Sequence, residues 1–192
     1  KKGLEQGKWT FWSIEGAIQQ EVNYTDGIFN GKYTNYTSSG KKKEEGNFIN
    51  AKKEGACTVW TVNGIVEMEG HNKNGYKDSL WTFFYPSGKK KEEGNFYRDK
   101  RIGVWKTWYN NDSLKSVREF KADTSYMLTY FKRNGEQSIK DGRGSYQSFY
   151  SNNGIKDRGA YLNGRRNGLW TSFDFKGNLV ASENYLNGIM DG

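Results

Sequence analysis

His71 and Cys57 are the only histidine and the only cysteine in the chain, so nucleophilic or soft-metal chemistry would have to start from them. Neither has the company such chemistry requires. His71 has no Cys, Asp or Ser at a known catalytic spacing and reads as a surface strand residue. One Cys and one His cannot close a zinc site, and no EF-hand or glycine-aspartate calcium repeat is present. Glu44-Glu45 and Glu92-Glu93 could act as paired carboxylates for general acid/base work. Each pair, however, sits in an identical string, and an acid/base pair is not expected to be copied from one hairpin to another. Cross-strand Lys and Glu partners would be. Gly7-Lys8 and Gly31-Lys32 look like the end of a phosphate loop but lack its upstream glycine. The expectation is no catalytic residue, no metal, no cofactor and no enzyme.

Binding chemistry is better supplied. The net charge of +8 and pI of 9.3 permit acidic partners. Lys41 to Lys43 and Lys89 to Lys91 lie near aromatics, a mixture that can hold single-stranded nucleic acid or an anionic membrane. Two glutamates follow each lysine run directly, and Ile65-Val66-Glu67 interrupts any continuous basic stripe. Aromatic rows could also stack on sugars. Only 34% of residues are apolar and mean hydropathy is -0.99, yet 16% are aromatic. That balance points away from a deep aliphatic core and toward thin sheets stabilised by rows of Trp, Tyr and Phe. With 24 glycines and one proline, many short strands joined by glycine turns are expected.

The elements that carry these residues follow from a repeat. GKKKEEGNF runs from Gly40 to Phe48 and again from Gly88 to Phe96. Halving that offset puts Trp9, Tyr33, Cys57, Trp81 and Trp105 in one slot of a 24-residue frame, continued after a slip by Leu128, Tyr146 and Trp170. Three positions later stand Trp12, Tyr36, Trp60, Phe84, Trp108, Phe131, Phe149 and Phe173, aromatic in every unit. Thr recurs just after the first slot, a strand preference. Gly16, Gly40, Gly64, Gly88, Gly135 and Gly177, with Asn153-Gly154, mark a reversal. The returning strand carries Tyr24, Phe48, Phe96, Phe120, Tyr161 and Tyr185. A second turn near Asn-Gly is expected to open the next unit, with Gly two residues before the first-slot aromatic.

Two strands per unit joined by short turns predict an antiparallel meander. Aromatics three apart fall on opposite faces unless a bulge intervenes, and both arrangements stay open at this point. Cys57 fills an aromatic slot and reads as a small buried hydrophobe. The pattern slips between Trp105 and Tyr146, where the sixth unit loses most of its return strand. Trimmed units at both ends would expose pairing edges, predicting flanking sequence or an end-to-end contact.

The unit, G-x-[WY]-T-x-[WYF] followed by E-G-x-[YF] and N-G, resembles the MORN-repeat family. The likeness is to its bacterial variant, found among repeat proteins with a toxin–antitoxin label. It is carried by Gly7-Lys8-Trp9 to Trp12, Gly103-Val104-Trp105 to Trp108, Glu45-Gly46-Asn47-Phe48 and Tyr161-Leu162-Asn163-Gly164. Cys57, Asn72, Asp112 and the sixth unit depart from it. The resemblance implies hairpin units in an extended twisted sheet and roles in protein binding, self-association or lipid contact.

The expectations are then concrete. The fold is all-β, an elongated twisted antiparallel meander of about eight β-hairpin repeats forming a MORN-like open sheet. Residues 1–192 form a single repeat array, with units beginning near 7, 31, 55, 79, 103, 126, 144 and 168 and irregular over 112–145. Its function is that of a non-catalytic scaffold for protein binding or self-association. Trp12, Tyr36, Trp60, Phe84, Trp108, Phe149 and Phe173 form the binding row. The alternative is a cell-envelope or glycan-binding module, with anionic lipid or nucleic acid bound by basic turns ranking behind. A bacterial periplasmic or surface location after leader removal suits the Lys- and Asn-rich composition.

Overall fold

A computed structural model describes residues 3–191 of the chain. It is all-β, built of antiparallel hairpins in chain order. By backbone contacts it divides into two units, residues 1–102 with 110–112 and residues 103–109 with 113–192. Unit 1 holds β1 (Gly7–Trp12), β2 (Ile18–Thr25), β3 (Ile28–Tyr36), β4 (Lys42–Ile49), β5 (Lys52–Lys53), β6 (Gly55–Trp60), β7 (Val66–Lys73), β8 (Tyr76–Phe84) and β9 (Lys90–Tyr97). Strand β10 (Lys100–Trp108) leads into unit 2, which continues with β11 (Leu114–Lys121), β12 (Thr124–Phe131), β13 (Gln137–Lys140) and β14 (Arg143–Phe149). It ends with β15 (Ile155–Leu162), β16 (Arg165–Phe173), β17 (Leu179–Leu186) and β18 (Ile189–Met190).

Two kinds of turn alternate. Each outgoing strand ends in a loop where one residue's N–H donates to the carbonyl four residues on, as Ser13 does to Ala17 at 2.7 Å and Thr37 to Lys41 at 2.8 Å. The fourth position of this loop is left-handed and usually glycine; Asp112 (φ 67°) and Asn153 (φ 64°) take it elsewhere. Returning strands end in a two-residue turn with positive φ at both positions, as at Asp26-Gly27, Asn50-Ala51, Asn74-Gly75, Asn163-Gly164 and Asn187-Gly188, while Ala122-Asp123 has it at Ala122 alone. This is the turn whose twist matches a hairpin.

The glycine two residues before the first-slot aromatic is not in that turn, as the repeat pattern had suggested. It lies inside the outgoing strand at a bulge, because the pairing of β2 with β3 shifts between Val22 and Tyr24, and that of β7 with β8 between Gly70 and His71. The bulge imposes φ of 107° at Gly31 and 70° at Gly168. Ser79 occupies the same place at φ 60°.

Successive two-residue turns are tied to one another. The N–H of Gly27 donates to the Glu5 carbonyl, that of Ala51 to Phe29, that of Gly75 to Lys53, and that of Asp99 to Lys77, at 2.8 to 3.0 Å. Each hairpin therefore closes onto the start of the one before it. Unit 2 repeats the arrangement in Gly164 to Gly142 at 2.9 Å and Gly188 to Arg166 at 2.8 Å.

First-slot side chains make the core of each unit. Tyr33, Trp81 and Trp105 are each 1% exposed, and Trp170 is 3% exposed. Trp9, in β1, which among the described residues is paired with β2 alone, is 42% exposed. The same residue type in the same slot is thus buried only where a preceding hairpin covers it. Cys57 is buried in this row, and His71 is an exposed strand residue. In the sixth hairpin the core position belongs to Met127, 1% exposed, rather than to Leu128 as the spacing had suggested. The cause is a register shift that pairs Thr129 with Val117 but Met127 with Arg118, leaving Leu128 as the extra residue.

Candidate functional site

The rings of the first slot need a flat floor, which explains the glycine of E-G-x-[YF]. A Cβ on Gly70 would stand 2.3 Å from the Trp81 indole, and one on Gly159 would stand 2.3 Å from Trp170. Above the ring lies a cation, four residues earlier in the chain for Trp81 and Trp170 and twenty residues later for Tyr33. Lys77 Nζ is 4.6 Å from the Trp81 ring, Lys53 Nζ 5.4 Å from Tyr33, and the Arg166 guanidinium 4.3 Å from Trp170. Long cationic stems cover apolar rings while keeping the charge in water, and the ring quadrupole attracts it. Return-strand rings complete the packing, with Trp81 edge-on to Phe96 and Trp170 edge-on to Tyr161.

The second slot is set differently. Every hairpin shifts register immediately before it, between Phe11 and Trp12, Asn35 and Tyr36, Val59 and Trp60, Phe83 and Phe84, and at the matching positions of unit 2. The extra residue is on the returning strand: Asn35 pairs with Glu44 and Tyr36 with Lys42, so Lys43 is the one left over. The outgoing strand keeps its alternation, and aromatics three apart consequently face opposite sides. One face of each unit carries the packed first row. The other carries the second row.

On that second face unit 1 displays a ladder. Thr10 pairs with Glu21, Glu21 with Thr34, Thr34 with Glu45, Glu45 with Thr58, Thr58 with Glu69, Glu69 with Thr82 and Thr82 with Glu93. Alternate strands carry the carboxylates, so they recur roughly every 10 Å. Lysines bridge them to the aromatics. Lys8 Nζ is 2.6 Å from Glu21, the Tyr36 hydroxyl donates to Glu21 at 2.9 Å, and Lys42 Nζ lies 2.6 Å from Glu45 and 5.6 Å from the Trp60 ring. The Lys8 and Tyr36 hydrogen bonds hold the Glu21 carboxyl below its ordinary range, and Lys42 does the same for Glu45.

Unit 2 lacks that acidic row. The corresponding places hold Val117, Arg158 and Ser182. The Arg158 guanidinium donates to Thr171 Oγ1 at 3.1 Å and lies 5.2 Å from the Phe173 ring.

Of the seven aromatics singled out in the sequence, Trp12 and Phe149 are exposed; Tyr36, Trp60, Phe84, Trp108 and Phe173 are half-buried. Within unit 1, among the described residues, no ring-to-ring contact joins Trp12, Tyr36, Trp60 and Phe84; lysine and polar side chains separate them. Half of the lysines in the two runs are committed: Lys42 to Glu45, Lys90 to Glu93 at 2.5 Å, and Lys89 to Asp112 at 2.8 Å.

A polar cluster adjoins the first row. Glu44 accepts hydrogen bonds from Lys53 and from the Tyr33 hydroxyl, the latter at 2.8 Å, and Cys57 Sγ lies 3.6 Å from the same oxygen. Burial works against the Glu44 charge, but the Lys53 and Tyr33 hydrogen bonds outweigh it and its pKa is lowered. Burial, then the neighbouring Glu44 charge, push the Cys57 thiol up, which disfavours a reactive thiolate. Among the described residues no group of three or more His, Cys, Asp or Glu is placed to hold a metal, and no helix is long and apolar enough to cross a membrane.

Sequence reasoning had not located the cations over the rings, although their offset of four residues from Cys57, Trp81, Trp105 and Trp170 is a readable signal.

No curated protein matches the sequence. Four segments, residues 29–50, 77–98, 101–122 and 166–187, match the family model described as a MORN repeat variant, together a little under half of the chain. Each matched segment is one hairpin that ends on the first residue of a two-residue turn: Asn50, Arg98, Ala122 and Asn187, all left-handed. Repeats of this family are commonly binding or scaffold modules, generally without catalytic activity, and meet protein or membrane-lipid partners. The four matches support a MORN-repeat family for this chain.

Proposed function

We propose that this chain is a non-catalytic scaffold whose second aromatic row binds another protein or a second copy of itself. The observation that carries this reading is the unbroken alternation of each outgoing strand through the second slot, the extra residue of the register shift being on the returning strand. It turns an aromatic of each hairpin away from the packed face, where the ring does little for the unit's own core. Trp12, Tyr36, Trp60, Phe84, Trp108, Phe149 and Phe173 would be the contact residues, with Lys8, Lys42 and Arg158 supplying a polar rim of the kind interfaces show. Within the family we assign the bacterial variant, on the G-x-W-x-x-[YW] opening. The whole chain would act as one repeat array.

The test is a triple substitution, Trp12→Ser, Tyr36→Ser and Trp60→Ser, compared with wild type in cross-linked capture and in sedimentation equilibrium. The reading expects loss of the captured partner or of self-association with thermal stability little changed. An unchanged profile in both assays would overturn it.

One observation favours a second reading. The Thr–Glu ladder beside the aromatics offers hydroxyl and carboxylate groups at regular spacing, which suits sugar hydroxyls lying over rings. A glycan titration that quenches tryptophan fluorescence, and does so no longer in Trp60→Ala, would select a glycan module over the protein scaffold.

A further inference from the structure

The shortened sixth hairpin borders a pocket. β13 has only four residues, and its turn is set back: the Gly142 N–H donates to the Leu128 carbonyl at 2.9 Å, whereas the equivalent turn glycine Gly75 reaches Lys53, at the start of its hairpin. The next turn then folds over the gap. The Met127 N–H donates to the Gly164 carbonyl at 2.8 Å, and Arg165 Nη2 donates to the Tyr126 hydroxyl at 2.7 Å, joining residues 39 apart. Between these turns lies a pocket of about 450 Å³ lined by Arg118, Arg165 and Arg166 together with Thr124, Ser125 and Asn187.

From this geometry we infer a binding site for a compact phosphate-bearing ligand in unit 2, held by Arg118, Arg165 and Arg166. It does not depend on the scaffold reading above. Three arginines line one concavity, no acidic residue lines it, and none of the three arginines has an ion-pair partner among the described residues. Two of the equivalent cations in unit 1 are neutralised, whereas Lys77 has Met68 nine residues earlier and meets its sulfur at 3.5 Å. Lys53 meets Glu44, and Arg101 grips Glu92 through two bonds of 2.6 and 2.8 Å, in both cases a carboxylate nine residues earlier. The equivalent acid for Arg166 is Asp157. Its shorter side chain is taken instead by the Ser148 and Ser172 hydroxyls, at 2.7 and 2.9 Å. Arg166 turns instead to the Tyr185 hydroxyl at 3.2 Å, the Tyr161 side chain and the faces of Trp170 and Tyr185.

The three like charges are therefore uncompensated inside one pocket, a situation an anion relieves. Planar guanidinium forks match phosphate oxygens in pairs, and among the described residues the Thr124 and Ser125 hydroxyls have no hydrogen-bond partner to compete with a ligand. The volume lies in the range of small-molecule sites. The phosphate could belong to a soluble metabolite or to a lipid headgroup.

The test uses the full chain and inorganic pyrophosphate. Calorimetric titration is expected to show saturable one-to-one binding that weakens at higher salt. The amide resonances of Gly164, Arg165, Arg166 and Gly188 should shift along the same isotherm in the unsubstituted protein. Arg118→Gln with Ser125→Ala should weaken binding at least about tenfold, the effect of losing a charge-assisted pair. Lys73→Gln, the same charge change on an exposed strand of unit 1, should not. Vesicles containing phosphatidic acid separate the two sources: binding that pyrophosphate displaces and Arg118→Gln abolishes assigns a headgroup, and no vesicle binding assigns a soluble ligand. Unsaturable heats, shifts scattered outside these turns, or equal loss with Lys73→Gln would overturn the site.

Discussion

At the scale of single residues, the repeat is held by positions that tolerate one side chain for a stated reason. Gly70 is the clearest. An added Cβ would lie inside the Trp81 indole, and the Trp81 Nε1–H donates to the His71 carbonyl at 2.8 Å, so the ring cannot slide away freely. Gly70→Ala is expected to cost about 3 kcal/mol, at the upper end for overpacking, read from urea unfolding. Ser79 offers the opposite sign. It holds φ 60° where six other hairpins use glycine, and an L residue in that region pays about 1–2 kcal/mol. Ser79→Gly should raise stability by roughly 0.5–1 kcal/mol, less than the strain relieved because glycine is also freer when unfolded. A drop in the urea midpoint would refute this account of the bulge. Cys57 belongs to the same scale. Its burial and its raised pKa predict slow alkylation in the native chain at pH 8, becoming fast in denaturant.

Among elements, much was legible before any coordinates. Fixed spacing of aromatics, glycines and threonines identified the hairpin, its antiparallel order and the two aromatic slots, because each depends on a local period or a turn with strict backbone demands. The strand that carries the bulge was not legible. Lys43 and Glu67 are left over in the pairing yet look like any other exposed charge, so the question of one aromatic face or two stayed open until register was known. The left-handed glycine before the first slot was misplaced into the turn for a similar reason: a positive φ is visible as glycine, but its location in a bulge depends on the neighbouring strand. The substitution of Arg158 for the glutamates of unit 1 was readable, but the pocket beyond it was not, since it needs a contact between Tyr126 and Arg165. The ladder and the Glu44 cluster on the opposite face make a prediction together. Glu21, Glu44 and Glu45 have lowered pKa values, so their contribution to stability is present above their ordinary value of about 4.5 and is lost as pH falls through the depressed values. Hydrogen-exchange protection factors compared at pH 6 and pH 3.5 should fall first in β2 to β4. Earlier loss in β14 to β17 would contradict the assignment.

For the molecule as a whole, the claim is that a chain poor in aliphatic residues stabilises itself by having each hairpin cover the first aromatic of the next, leaving the second aromatic for a partner. Repeat proteins of this kind owe their stability to intrinsic and nearest-neighbour terms. The contrast between Trp9 and Trp81 reports the neighbour's share, since the residue type and slot are the same and Trp81 has a preceding hairpin, with Gly94 rather than Val22 opposite it on the returning strand. It follows that damage should spread to the adjacent hairpin: Gly70→Ala, which displaces Trp81, ought to loosen Phe96 beside it before it affects Tyr33. The seven tryptophans also provide an internal comparison, because Trp81, Trp105 and Trp170 occupy the first slot under cover, Trp9 the same slot without cover, and Trp12, Trp60 and Trp108 the second slot. The most direct measurement is the solvent-isotope shift of each indole in a 5-fluorotryptophan-labelled chain. The account predicts almost no shift for Trp81, Trp105 and Trp170, a clear one for Trp9 and the largest for Trp12; comparable shifts for Trp12 and Trp81 would contradict it.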